Sequence, residues 1–424
     1  MITLIYNLAH TYFVGLLNDP VETAAVTVAA PAFLMLTALS NLFGVGGASA
    51  IARALGRKEP EKAREISALA VWGGLGLGIL SSLLFAVCAG PILTLCGARA
   101  DTLDAARRYA RWVIVFGGPF TLLNTLLANM VRSEGSAVHA SIGVSLGGIL
   151  NIFLDPIFVL PQFLGMRAEG AGLATAISNA VAVCYLLLYL RRRRGSTVLT
   201  PRPGLLRHAR DHIGTVLSIG FPSAVQYALT VVAVAAQARF VSGHGITEAV
   251  AALGIIKKLD QLPLYFSIGV ANGLLPLLSY THSAGLLQRR RQAFRFGTAI
   301  SLGFSLFCLV LYEALAPQLV GLFIENKATV AYGADFLLIM VTAMPMMSVC
   351  YPMIIQFQAM MKARESLICS ILRKGVLDIP LLFLMDALLP LYGCMQPIVD
   401  TVSLLVALLL YRRLQKQEAP PAAA

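Results

Sequence analysis

The chain has 424 residues, of which 58% are apolar and 13% charged, with a formal net charge of +12 and a mean hydropathy of +0.77. Soluble domains average roughly 45–50% apolar and about 25% charged residues, so this composition excludes an ordinary soluble enzyme or binding module. The positive charge does not mark a nucleic-acid partner either: it sits in short connections between apolar runs, where it sets membrane orientation.

A helix crosses the hydrocarbon core with about 20 apolar residues. Runs of that length recur along the chain, without the two-residue alternation of a barrel strand. The breaks between them predict spans at 1–17, 27–51, 66–90, 109–130, 139–160 and 171–190, then 213–240, 249–276, 294–316, 332–354, 366–385 and 391–411. The first starts at Met1 with no polar leader and no basic n-region. That argues against a cleavable signal peptide and reads as a short first helix or a start further upstream.

One set of connections carries Arg53, Arg57, Lys58, Lys62, Arg64, Arg132, the run Arg191–Arg194, Arg202, Arg207 and Arg210. It continues with Arg289, Arg290, Arg291, Arg295, Lys362, Arg364, Arg373, Lys374, Arg412, Arg413 and Lys416. The opposite set holds Arg99, Arg107, Arg108, Arg111, Arg167 and Lys327, so the first is about fourfold richer and is expected to be cytoplasmic, with both termini inside. The cluster Arg99–Arg111 runs against that rule, with only Asp101 and Asp104 beside it.

The chain also resembles itself. GAGLATAISNAVAVCYLLLYL parallels YGCMQPIVDTVSLLVALLLYRRL, NIFLDPIFV parallels GVLDIPLLF, and SEGSAVHASI parallels RESLICSILR. The expectation is an all-α integral membrane fold of about twelve helices in two pseudo-symmetric six-helix lobes, a plan common among transporters. Its parts are an N-terminal lobe (1–194), a cytoplasmic basic linker (195–212), a C-terminal lobe (213–414) and a cytoplasmic tail (415–424).

No catalytic arrangement emerges. There is no GxxxxGK[ST] phosphate loop, and His208 and His212 have zinc-helix spacing but lie in a basic loop with no Glu between them. The seven cysteines are scattered, mostly inside apolar runs, and read as small buried hydrophobes rather than metal or disulfide partners.

A charge at mid-membrane depth is costly, which makes it a functional candidate. Asp155 lies four residues after Asn151, so both project from one helix face. Pro156 beside it removes a helix hydrogen bond. A carboxyl group taken out of water favours its protonated form, as proton coupling requires. The plainer reading is that Asp155 stabilises a kink. Asn124, Asn129 and Thr175 are companion polar groups that can equally serve helix packing. In the second half, Gln226, Lys257, Asp260, Asp378 and Asp400 are cavity candidates. Against this, Lys257 and Lys258 can pair with Asp260 or snorkel, and Asp400 can cap a helix start. The methionines from Met344 to Met361 suit packing or a promiscuous binding surface.

Several segments carry a family likeness. YNLAHTYFVG, TAAVTVAAP and GVGGASAIARALGRKEPEKAR, then LNIFLDPIFV with GAGLATAIS, and IGFPSAVQ, resemble successive landmarks of the multidrug and toxic compound extrusion (MATE) family, in order and over nearly the whole chain. The tail from Arg373 through IPLLF to QPIVD resembles its bacterial multidrug-pump branch. The resemblance implies two lobes in a V and export of organic cations against a proton or sodium gradient, by a monomer in the bacterial cytoplasmic membrane that needs no cofactor beyond the coupling ion. It also implies that Asn151 and Asp155 form the first-lobe cation site. His10 stands where the family usually has an aspartate. Imidazole titrates near neutral pH but is a poor partner for a hard cation, so the ion is expected to be a proton rather than sodium. A lipid-linked precursor flippase of the same superfamily and a non-transporting membrane scaffold or sensor are the alternatives.

Overall fold

A computed structural model describes residues 2–17, 19–243, 247–322, 327–386 and 395–418, and among them the chain forms helices and turns only. It divides into two compact units, Met1–Val231 with Ser279–Gly285, and Val232–Leu278 with Leu286–Ala424.

The first unit holds α1 (Ile2–Gly15), α2 (Pro20–Gly56), α3 (Pro60–Leu95), α4 (Leu103–Ala110), a π-helical turn (Arg111–Phe116), α5 (Gly118–Ser133), α6 (Ala137–Val159) and α7 (Arg167–Arg192). A short α8 (Leu206–Ala209) and most of α9 (Ile213–Gly243) complete it. The second unit is built from α10 (Thr247–Ser283), α11 (Leu287–Gly321), α12 (Lys327–Val341), α13 (Met344–Ala359), α14 (Ala363–Ile371), a second π-helical turn (Leu372–Leu377), α15 (Asp378–Asp386) and α16 (Met395–Glu418).

Among the described residues seven helices are long and apolar enough to cross a membrane, α3 and α11 with internal kinks at Cys88 and Leu315, and two further candidate spans are bent pairs. The span expected at 109–130 begins earlier, at Leu103, and turns by 46° where the π-helical turn meets α5 at Gly118–Pro119. The span expected at 332–354 bends by 44° ahead of Pro345. Each of these prolines lies in the first turn of the helix after the bend, the position its ring tolerates best.

Side-chain size is sorted as lipid solvent demands. On α3 most buried positions are small, Ala63, Ser67, Ala68, Ala70, Gly74, Gly78, Ser82 and Gly90 beside Ile66, Leu69, Phe85 and Leu93, while Leu80 is 62% and Val87 84% exposed. Lipid is as apolar as leucine, so large apolar groups gain nothing by facing inward and small residues let backbones approach. The tightest approach described is between α2 and α9, where a Cβ at Gly220 would overlap the Leu42 carbonyl. Gly220→Val is therefore expected to lower the unfolding temperature in detergent, at a cost of about 1–3 kcal/mol or more. An unchanged melting temperature would show that the two helices can part.

The basic connection after α7 is docked on the first unit. Glu134 accepts from the Thr197 hydroxyl and the Val198 N–H (2.6 Å each). The Thr200 N–H donates to Ser67 Oγ (2.9 Å), Trp72 donates to the Pro201 carbonyl (2.8 Å), and His212 meets Glu65 at 3.0 Å. His212 is thereby engaged by a carboxylate; the side chain of His208 lies outside the described residues.

Two groups of residues depart from the expectations. Arg373 and Lys374 are not solvated orientation-setting charges: Arg373 is 2% exposed, and both are ion-paired, as described below. Cys184 is exposed rather than buried, whereas Cys308, Cys350 and Cys369 are buried; Cys394 lies outside the described residues.

Candidate functional site

α6 is apolar apart from a few positions, and two of its polar side chains fall one turn apart on the buried face: Asn151 is 2% exposed and Asp155 0%. α1 lies against α6 and brings His10 Nδ1 to 3.0 Å from Asp155 Oδ2. With its amide nitrogen towards the carboxylate, Asn151 donates to the same Oδ2 at 3.1 Å, and its oxygen accepts from the Thr175 N–H of α7 at 3.2 Å. On the far side of the imidazole, Tyr109 Oη of α4 is 3.5 Å from His10 Nε2. Asp155 Oδ1 is buried with no hydrogen-bond partner among the described residues.

This arrangement is chemically asymmetric. One carboxylate oxygen is held by an imidazole and an amide, and the other, fully buried, meets no hydrogen-bond donor among the described residues. A buried polar oxygen without a donor is costly, so this side of the carboxylate marks the site as more than a structural ion pair. Four helices thus converge on one buried histidine–carboxylate pair.

A ladder of amides and hydroxyls runs on from the site. The Thr175 carbonyl accepts from Asn179 Nδ2 (3.1 Å), which also reaches Thr121 Oγ1 (3.1 Å). Asn179 Oδ1 accepts from Asn124 (3.0 Å). Asn129 stands apart, accepting from Arg132 Nη1 at 2.8 Å near the end of α5. Tyr109 and Asn179 were not among the sequence candidates. Asn179 could have been found, since it lies one turn after Thr175 in ATAISNA; a tyrosine just ahead of an apolar run gives no such signal.

Two arginines of the sparser set, Arg108 from the cluster that opposed the charge rule and Arg167, are ion-paired with local acids. Arg108 meets Asp104 at 2.7 Å and Glu22 at 3.5 Å, and Arg167 meets Asp19 at 3.3 Å. Glu22 also accepts from the Ala168 N–H (3.1 Å) at the start of α7, where the helix dipole favours an anion.

In the second unit, Asp378 and Asp400 each sit opposite a cation. Lys374 Nζ is 3.1 Å from Asp378 Oδ2. Arg373 Nε donates to Asp400 Oδ1 at 2.6 Å, Gln396 donates to Asp400 Oδ2 at 2.9 Å, and the Tyr351 ring lies under the guanidinium, 4.8 Å from Cζ. Asp400 is inside α16 and engaged with Arg373, so capping is not its use. Gln226 is buried in α9, and Asp260 is partly buried in α10. The side chain of Lys257, and with it the suggested Lys257–Asp260 pairing, lies outside the described residues.

Long apolar helices enclosing buried ionisable pairs define a polytopic membrane protein. The MatE family profile matches residues 1–157 and 222–384, and the chain belongs to that family, as its sequence landmarks indicated. The Multidrug export protein MepA of Staphylococcus saprophyticus is 30% identical over 412 residues, covering 97% of this chain and 90% of that protein. Among solved structures, a mutant of the Vibrio cholerae MATE transporter VcmN is 20% identical with a TM-score of 0.88, covering 98% of this chain and 94% of that one. A MOP superfamily transporter from Pyrococcus furiosus is 23% identical, also with a TM-score of 0.88, over 99% and 93% of the two chains.

Proposed function

We propose that this chain is a secondary antiporter that exports amphipathic organic cations across a bacterial cytoplasmic membrane, driven by protons and working by alternating access. The observation that carries the reading is the fully buried Asp155 carboxylate, paired on one oxygen with His10 and without a partner on the other among the described residues. A proton bound there alters the charge of the site, and a ligand drives a transition only through a difference in affinity between two states. Asn151 and Thr175 fix the carboxylate, and His10 supplies a second group able to take up a proton. The membrane orientation that goes with this reading has both termini in the cytoplasm, from the distribution of Lys and Arg.

Sodium is disfavoured as the driver because hard cations select oxygen ligands, and the imidazole occupies the side of Asp155 from which a second oxygen would come. Export of lipid-linked anions calls for a freely available cationic cavity, whereas Arg373 and Lys374 are already committed to carboxylates.

The direct test is transport of tetraphenylphosphonium in proteoliposomes of the full chain under an imposed proton or sodium gradient. The proton gradient is expected to drive it and the sodium gradient to have no effect; the reverse would overturn the choice of ion, and no flux under either would overturn the transporter reading. In the same assay His10→Asp, which restores an oxygen donor beside Asp155, is expected to confer sodium stimulation. A variant still indifferent to sodium would show that position 10 does not set ion choice.

A further inference from the structure

The second unit contains a constellation that a transporter of organic cations has reason to possess: a buried carboxylate beside a half-buried aromatic ring and a half-buried amide. Asp400 is 1% exposed, Tyr351 offers its ring, and Gln396 fixes one carboxylate oxygen. Carboxylate and aromatic ring together are the usual recognition chemistry for an organic ammonium or phosphonium, the ring quadrupole attracting the cation's face. Here that space holds the chain's own guanidinium, Arg373.

Three features distinguish this from an optimised structural ion pair. Arginine is suited to grip a carboxylate with two parallel N–H bonds, yet Arg373 meets Asp400 through Nε, and its buried Nη1 has no hydrogen-bond partner among the described residues. Arg373 also sits in the π-helical turn Leu372–Leu377, a rare geometry that accommodates an extra residue between two α-helical stretches. Relaxing that turn to α-helix would move the register by one residue and rotate position 373 by about 100° around the axis. Finally, exchanging one cation for another leaves the buried charge unchanged, which avoids stranding Asp400 as an unpaired buried anion.

We propose that Asp400, Tyr351 and Gln396 form an organic-cation site whose resting occupant is the tethered Arg373 side chain, displaced when substrate binds. The inference rests on the cation-export reading above and names a recognition site for it. Arg373 acts as an internal competitor: it keeps the site neutral while empty and returns when the substrate leaves.

The test measures binding of tetraphenylphosphonium to the purified full-length protein, by equilibrium binding and by the ligand-induced rise in unfolding temperature. Removing the competitor with Arg373→Gln is expected to tighten binding about tenfold and enlarge the thermal shift, as mass action requires. Tyr351→Leu, which leaves the ion pair and hence the fold in place, is expected to weaken binding about tenfold, matching the loss of a desolvated cation–π contact. Asp400→Asn with Arg373→Gln removes both charges and is expected to bind weakly. The proposal is overturned if Tyr351→Leu binds like wild type, or if a folded Arg373→Gln gains no affinity. Tyr351→Leu decides the matter should Arg373→Gln fail to fold. A wild-type protein that transports the cation with a KM insensitive to Tyr351→Leu overturns this site alone, whereas a wild-type protein that transports no organic cation overturns the functional reading on which it rests.

Discussion

Asp155→Asn is expected to abolish proton-driven export while leaving the protein folded. Asparagine has the shape of aspartate, and its carbonyl oxygen can still accept from Asn151 and His10 in the places now taken by Oδ2. What it cannot do is gain and lose a proton. Driving a two-state protein from 1:99 to 99:1 takes about 10⁴-fold preference of the driving ligand for one state, or ~5.5 kcal/mol. Without a titrating group there is no such preference, and export under a proton gradient is expected to fall by about a hundredfold or more. Substrate binding in detergent, which does not require the gradient, should persist. Retained gradient-driven export by Asp155→Asn would remove this carboxylate from the mechanism and leave it the role of stabilising α6 beside Pro156.

The second large effect concerns stability. Arg373→Leu strands Asp400 in an apolar interior, and breaking a buried pair by removing one partner costs about 3–5 kcal/mol. The same holds for Asp400→Leu. Replacing both by methionine removes both desolvation penalties, and such swaps are often neutral or stabilising by about 1–4 kcal/mol. Either single variant is therefore expected to melt far below wild type in detergent, and the double variant to recover most of the loss. Equal destabilisation by the single and double variants would mean that packing around α13, α14 and α16, rather than charge compensation, sets the stability there.

Much of the fold was legible because a bilayer imposes a simple grammar: each crossing needs a long apolar run and each connection tolerates charge. Expected spans coincide with single helices for α2, α3, α6, α7 and α11, and with helix–turn–helix combinations at Leu103–Ser133, Lys327–Ala359 and Ala363–Asp386. The bends and π-helical turns were not legible, since they depend on how prolines and small residues meet neighbouring helices. The misreading of Arg373 has a related cause. Its neighbours Lys362, Arg364 and Lys374 make a basic stretch that looks like a cytoplasmic connection, and only folding brings Asp400, 27 residues on, against it. His10, Asn151 and Asp155 stood out individually as polar groups in apolar runs, and α1 against α6 is what brings them together. Tyr109 could not stand out, because aromatic residues with hydroxyls are common at the ends of membrane spans.

The docked connection after α7 also bears on biogenesis. Every partner it uses, Glu65, Ser67, Trp72 and Glu134, has been synthesised before residue 197 emerges from the ribosome. The same is true of His10, Tyr109, Asn151, Asp155 and Thr175. Translation proceeds at about 5–20 residues per second, with N-terminal domains folding first. The helices around Asp155 can thus close and be tied off by the docked connection for about 10–40 s while the remaining chain is still being made. A nascent chain stalled soon after His212 would already carry the histidine–carboxylate pair in place.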